Sequence, residues 1–113
     1  MKELKNITTL KKEIDRIREK GTSLNIEFLV DNLMETFSNI KLKEKSTSGV
    51  VKKEKDGTFK HVWDNHLLVS NGKNKYIVEI EWEIADGEND DLDYIVLGEV
   101  YNAKDCFKLC WVL

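Results

Sequence analysis

Glu79, Glu81 and Glu83 alternate with apolar residues along one segment, and Asp86, Glu88, Asp90, Asp91 and Asp93 follow closely. On an extended backbone the three glutamates share a face at intervals of roughly 6.7 Å. No lysine or arginine interrupts the stretch from Glu79 to Asp93. Carboxylates at that spacing repel by only about 0.6 kcal/mol in bulk water, so an open face tolerates them without any function. The chemistry they can do is recognition, because regularly spaced anions imitate phosphates and select a cationic surface. These eight acids are the candidate partner-binding residues. The competing reading is a solvated strand whose neighbours bring lysines to pair with it. No metal site is expected, since the acidic loop lacks the spacing of an EF-hand and no second liganding segment is identifiable.

Other groups with chemical potential are weaker candidates. His61, Asp64 and His66 fall within one short segment, a composition that suits metal binding or acid–base work. On a strand, however, an odd separation puts the two histidines on opposite sides, and Asp64-Asn65 suggests a turn between them. A structural role is expected for both. Lys41, Lys43, Lys45, Lys52, Lys53, Lys55 and Lys60, with Phe59 nearby, resemble a basic finger, but Glu44, Glu54 and Asp56 dilute it. A solubilising face, or a complement to the glutamate row, is the simpler expectation. Cys106 and Cys110 lie too far apart on a strand to bridge and lack the further ligands a zinc site needs, so both read as reduced core residues. Neither a nucleophile elbow nor a phosphate-binding glycine loop is present, and no catalytic residue or cofactor is expected.

Charge is divided unevenly along the chain. Residues 1–60 hold 14 Lys/Arg against 10 Asp/Glu, whereas residues 61–113 hold four against 11. Lysine outnumbers arginine 16 to 2 and proline is absent, a bias expected of an AT-rich coding sequence such as that of a low-GC bacterium or its phage. The 113-residue length fits one domain spanning 1–113, and the 41% apolar content is sufficient for a core. No apolar run approaches the roughly 20 residues of a membrane span, and the N-terminus lacks a signal-peptide core. A cytoplasmic protein is the expectation.

The elements that must position these residues follow from periodicity. Leu4, Ile7, Leu10, Ile14 and Ile17 recur at helical spacing and predict a first helix over 2–19, ended by Gly21. Ile26, Leu29, Val30, Leu33, Met34 and Phe37 predict a second, more deeply buried helix over 24–38, capped by Thr22 or Ser23. From Ile40 the period changes to two. Asp56-Gly57 marks a type I′ hairpin, and Asn71-Gly72 a second hairpin with a longer turn. In the strand from Lys75 to Ile84, Tyr76, Val78, Ile80, Trp82 and Ile84 face a core while Glu79, Glu81 and Glu83 face water, with Ile77 adding apolar contact on the acidic side. Leu92–Tyr101 and Cys106–Leu113 are apolar on both faces and should lie centrally. The expected fold is α+β, with two N-terminal helices packed on a five- or six-stranded antiparallel meander.

Function is expected to lie in binding. The reading is a small inhibitor, of the phage anti-defence or toxin-immunity type. It would block a basic partner such as a nuclease, a toxin or a nucleoprotein complex through the Glu79–Asp93 face, with no direct contact to nucleic acid or membrane. One alternative is a homodimeric or accessory subunit that uses the first helix as its interface. Another is a small enzyme or metal-binding protein, which would require His61, His66 and an acid to converge.

Overall fold

A computed structural model describes residues 2–20, 24–84 and 93–108. Helix α1 spans Ile7–Lys20 and α2 spans Ile26–Thr36. Seven strands follow among the described residues: β1 Lys41–Ser46, β2 Val50–Lys53, β3 Phe59–His61, β4 Asn65–Ser70, β5 Lys75–Ile84, β6 Asp93–Asn102 and β7 Cys106–Lys108. Every strand pairing is antiparallel. Among the described residues, no helix is long and apolar enough to cross a membrane.

Both helices start later than their apolar periodicity suggests, because asparagines set the boundary. The Asn6 carboxamide oxygen accepts from the Thr9 N–H at 3.0 Å, and that of Asn25 accepts from the Phe28 N–H at 2.7 Å. Each satisfies an N–H that the first turn leaves without a partner. Leu4 is therefore extended rather than helical. It is nonetheless fully buried, its N–H donating to Asn39 and its carbonyl accepting from Asn39 and Asn71. The proposed caps Gly21, Thr22 and Ser23 lie outside the described residues. Burial also reverses the expected ranking of the helices. α1 buries Leu10, Glu13, Ile14 and Ile17, whereas α2 buries only Leu29 and Leu33 and leaves Phe28 and Met34 exposed.

The expected α+β class holds, but the single meander does not. The strands form a four-stranded sheet ordered β1-β4-β5-β6 and a three-stranded sheet ordered β3-β2-β7. β5 explains the division. Tyr76, Val78 and Ile80 face the helices in the main core, while Ile77 joins Val50, Val62 and Tyr101 in a second core on the opposite face. A strand apolar on both faces needs cover on both, and the small sheet supplies the second layer. β6, expected centrally, is an edge of the larger sheet, and β7 is an edge of the smaller one. The continuation of β7 through Leu113 lies outside the described residues.

The two turns also differ from expectation. At the tip of β2–β3 the Glu54 N–H donates to the Thr58 carbonyl at 2.7 Å, leaving a three-residue loop with Gly57 at φ +88°. That geometry fits a type I turn with a bulge rather than the two-residue I′ turn, which needs positive φ at both positions. The Asn71 N–H donates to the Asn74 carbonyl, so the β4–β5 loop has only two residues. Gly72, the first of them, has φ +91°, the mark of a II′ turn.

Candidate functional site

The glutamate row divides at Glu79. This side chain is 1% exposed, covered by the chain's own groups on the face that the small sheet shields. One carboxylate oxygen accepts from the Glu99 N–H at 3.0 Å and from the Tyr101 hydroxyl at 3.1 Å. The other accepts from the Trp63 N–H at 3.0 Å. The Glu99 N–H reaches this carboxylate where the β5–β6 ladder shifts register between Val78 and Ile80, so that Gly98 and Glu99 together oppose Glu79. Such a bulge turns successive backbone groups toward one side. Gly98 is required there, since a Cβ at that position would lie 2.7 Å from the Glu79 Cβ and 2.9 Å from its carboxylate oxygen. Arg18 on α1 donates to the Gly98 carbonyl at 2.6 Å and so holds the outer side of the bulge.

Around this carboxylate the electrostatics are internal. Burial, and then the Glu79 charge, raise the Tyr101 phenol far above its ordinary value of 10.0, so it stays a donor. Lys52 and Lys60 lie over the Tyr101 ring, 5.3 and 5.7 Å from its centroid. Lys60 also pairs with Glu99 at 3.0 Å; that hydrogen bond raises the lysine and lowers the Glu99 carboxyl. Burial and the neighbouring Asp105 carboxylate push the half-buried Cys106 thiol up to about 11, which keeps it protonated and a poor nucleophile at neutral pH. The expectation that Glu79 faces a partner is therefore corrected. It is a structural carboxylate joining β5, β6 and the segment that leads into β4. Ile77, expected to add apolar contact beside the acids, is buried at 6% exposure in the second core.

Glu81 and Glu83 differ from Glu79 because β4 stops. The last β4–β5 pair is His66 with Glu79, whereas β5 and β6 continue together through Ile80–Leu97, Glu81–Val96, Trp82–Ile95, Glu83–Tyr94 and Ile84–Asp93. The result is a two-stranded ribbon running past the body of the sheet. Its helix face is partly covered, with Ile80 and Ile95 both buried and the Ile95 N–H donating to the Leu24 carbonyl at 2.7 Å. On the opposite face, Glu81 is exposed and Glu83 half-buried. Neither forms an ion pair among the described residues. Trp82 lies on the helix side, as its parity requires, yet it is 40% exposed instead of belonging to the core, and Val96 on the glutamate side is also 40% exposed. Asp86, Glu88, Asp90 and Asp91 lie outside the described residues, as does the Asp93 side chain.

The histidines do not converge. His66 is buried, with its Nδ1 3.3 Å from the Trp63 carbonyl oxygen, a geometry in which Nδ1–H donates. His61 is exposed on β3, 3.8 Å from the Asp64 carboxylate. An open cleft of about 310 Å³ brings His61, Asp64 and Glu81 to one rim, with Trp63 at its side, but excludes His66. Among the described residues no three His, Cys, Asp or Glu side chains come close enough to hold a metal ion. A second cleft, of about 360 Å³, lies between α1 and β6 and is lined by Lys11, Asp15, Arg18, Lys52 and Glu99. Its charges are mostly engaged, Arg18 with Asp15, Lys52 with Glu54 and Glu99 with Lys60. Compared with known proteins, the chain matches no family model, no curated protein and no solved structure.

Sequence reasoning overlooked the Trp63, Gly98 and Tyr101 cradle. One signal was available. Ile95, Leu97 and Val100 break the alternation of β6 by one residue at Gly98-Glu99, and an extra residue at a glycine is how a bulge reads in sequence.

Proposed function

We propose that this protein is a small binding protein that blocks a basic, nucleic-acid-handling partner, and that the β5–β6 ribbon is the part inserted. The observation that carries this reading is the ribbon itself, which presents Trp82 on one face and Glu81, Glu83 and Val96 on the other. A two-stranded ribbon seated in a groove covers both faces at once. A tryptophan that becomes fully desolvated can dominate binding energy, while carboxylates steer approach to a cationic wall and set orientation. Glu79 supports this role from within, by holding the bulge from which the ribbon projects.

The rival interface on the first helix has less support, since Leu10, Ile14 and Ile17 of its stripe are packed in the main core and Ile7 is partly buried against it.

A three-arm experiment tests the reading. The wild-type chain, a Glu81→Lys/Glu83→Lys variant and Trp82→Ala are each used to retain proteins from host extract. Retained proteins are then assayed for nucleic-acid processing with and without the added chain. The expected result is a basic protein held by the wild type, lost with both variants, and inhibited only by the wild type. Equal retention and inhibition by all three chains would overturn the proposal.

A further inference from the structure

The open cleft where the ribbon leaves the sheet gathers more than charge. Its walls come from three places: His61 at the end of β3, Trp63 and Asp64 from the link into β4, and Glu81 from β5. That link is held from several sides. The Trp63 N–H donates to Glu79 at 3.0 Å, the Trp63 carbonyl oxygen lies 3.3 Å from the His66 ring, and the Asp64 carbonyl accepts from the Thr47 N–H at 2.8 Å. The indole is seated against the bulge, where a Cβ at Gly98 would lie 3.0 Å from its Cζ3. A wall whose backbone is already tied down loses little freedom when a ligand arrives.

The chemistry of these walls narrows the occupant. Asp64 and Glu81 are exposed and, among the described residues, neither pairs with a lysine or arginine. His61, 3.8 Å from the Asp64 carboxylate, is too far for a hydrogen bond. Two carboxylates repel an anion, and a neutral guest would desolvate them without compensation. A metal ion finds too few ligands, because no three such side chains among the described residues come close enough. An ammonium could pair with the acids, but it is compact, strongly hydrated and makes little use of a flat ring. A guanidinium is planar and more weakly hydrated; its edge presents donors to carboxylates while its face stacks on an aromatic ring. The cleft, of about 310 Å³, has room for such a head group. We infer that it binds a guanidinium, with Trp63 against the face of the cation and Asp64 and Glu81 accepting from its edge. The inference rests on the functional reading above, for which it names one contact: an arginine of the basic partner.

Heteronuclear NMR of the isotope-labelled chain tests it at about 50 mM salt with two probes, a short peptide of alternating arginine and glycine and its lysine counterpart of equal length. The arginine peptide is expected to shift the Trp63 indole N–H and the Glu81 amide saturably, and to bind at least about fivefold more tightly than the lysine peptide. Asp64→Asn and Glu81→Gln should each weaken arginine-peptide binding by about three- to tenfold. Glu83→Gln, outside the cleft, should change it by less than about twofold. Trp63→Leu should abolish the preference for arginine over lysine, and Trp63→Phe should keep most of it. Should neither tryptophan variant fold, the two carboxylate variants, both at exposed positions, decide the matter. Equal affinity for the two peptides, shifts that avoid the cleft, or arginine binding unaltered in Asp64→Asn/Glu81→Gln overturns the inference. These outcomes are distinct from retention of a host protein. A partner held by the wild type without any arginine preference removes this contact alone, whereas arginine preference with no partner retained removes the functional reading and leaves the guanidinium site standing.

Discussion

Glu79 sits among acids in the sequence, but it does different work because the chain supplies its donors. Hydrogen bonds to an ionised acceptor contribute about 1.5–3 kcal/mol each, and a buried donor left without an acceptor incurs a desolvation cost of similar size. Glu79→Ala would strand two backbone N–H groups and the Tyr101 hydroxyl together, so the expected loss is about 3–5 kcal/mol. Glu79→Gln keeps one oxygen but turns an amide NH₂ toward a donor, for a loss of about 2 kcal/mol. Tyr101→Phe removes one donor and leaves both backbone bonds, at about 1 kcal/mol. Urea unfolding should return that order, and a Glu79→Ala protein as stable as wild type would refute the buried-carboxylate account. Gly98→Ala is the steric counterpart. Its methyl group would meet Glu79 at 2.7 Å and Trp63 at 3.0 Å, an overpacking expected to lower stability by about 1–3 kcal/mol.

Among the elements, the parts encoded locally were legible and the parts encoded by distant cover were not. Asn25 shows the first kind, because a cap acts within one turn. Asn25→Ala should lower stability by about 1 kcal/mol in urea unfolding, whereas Glu81→Lys/Glu83→Lys on the ribbon should change it by less than about 0.5 kcal/mol per site. A large loss from the ribbon pair would show that those carboxylates are structural after all. Helical stripes, the change of period at Ile40 and the glycine turns at Gly57 and Gly72 could all be read from neighbours in sequence. The division into two sheets could not. β7 pairs with β2 through Val51–Phe107, a contact between residues far apart in the chain that neither segment's pattern specifies. Alternation placed Ile77, Glu79, Glu81 and Glu83 correctly on one face. It could not say that the small sheet covers the first two and leaves the ribbon glutamates beyond its edge.

Over the whole molecule, ionisable groups set a stability window that is closed at both ends. On the acid side, Glu13 is held below its ordinary value of 4.5, chiefly by its hydrogen bond from Arg16, and Glu99 is lowered by Lys60. A carboxyl whose folded pKa is depressed stabilises the fold above the unfolded value. That contribution disappears as the pH falls below about 4.5 and through the folded pKa. The Glu13 contribution should dominate, because Glu13 is buried, whereas the Lys60–Glu99 pair is largely exposed and weakened by solvent. On the alkaline side the sign reverses. Cys106 is raised to about 11 from 9.0, and Tyr101 is raised well above 10.0. Unfolding therefore releases protons that the folded chain retains, and stability falls as the pH climbs past the unfolded values. Each such group contributes a slope of about 1.4 kcal/mol per pH unit. Chemical denaturation across this range should give a plateau near neutrality with a decline on either side. Cys106→Ser should shallow the alkaline limb from about pH 9 and Tyr101→Phe from about pH 10, while neither moves the acid limb and Glu13→Gln reduces only that one. An alkaline limb unchanged by both substitutions would mean that neither group is shielded in the fold, and the second core between the two sheets would have to be looser than its burial shows.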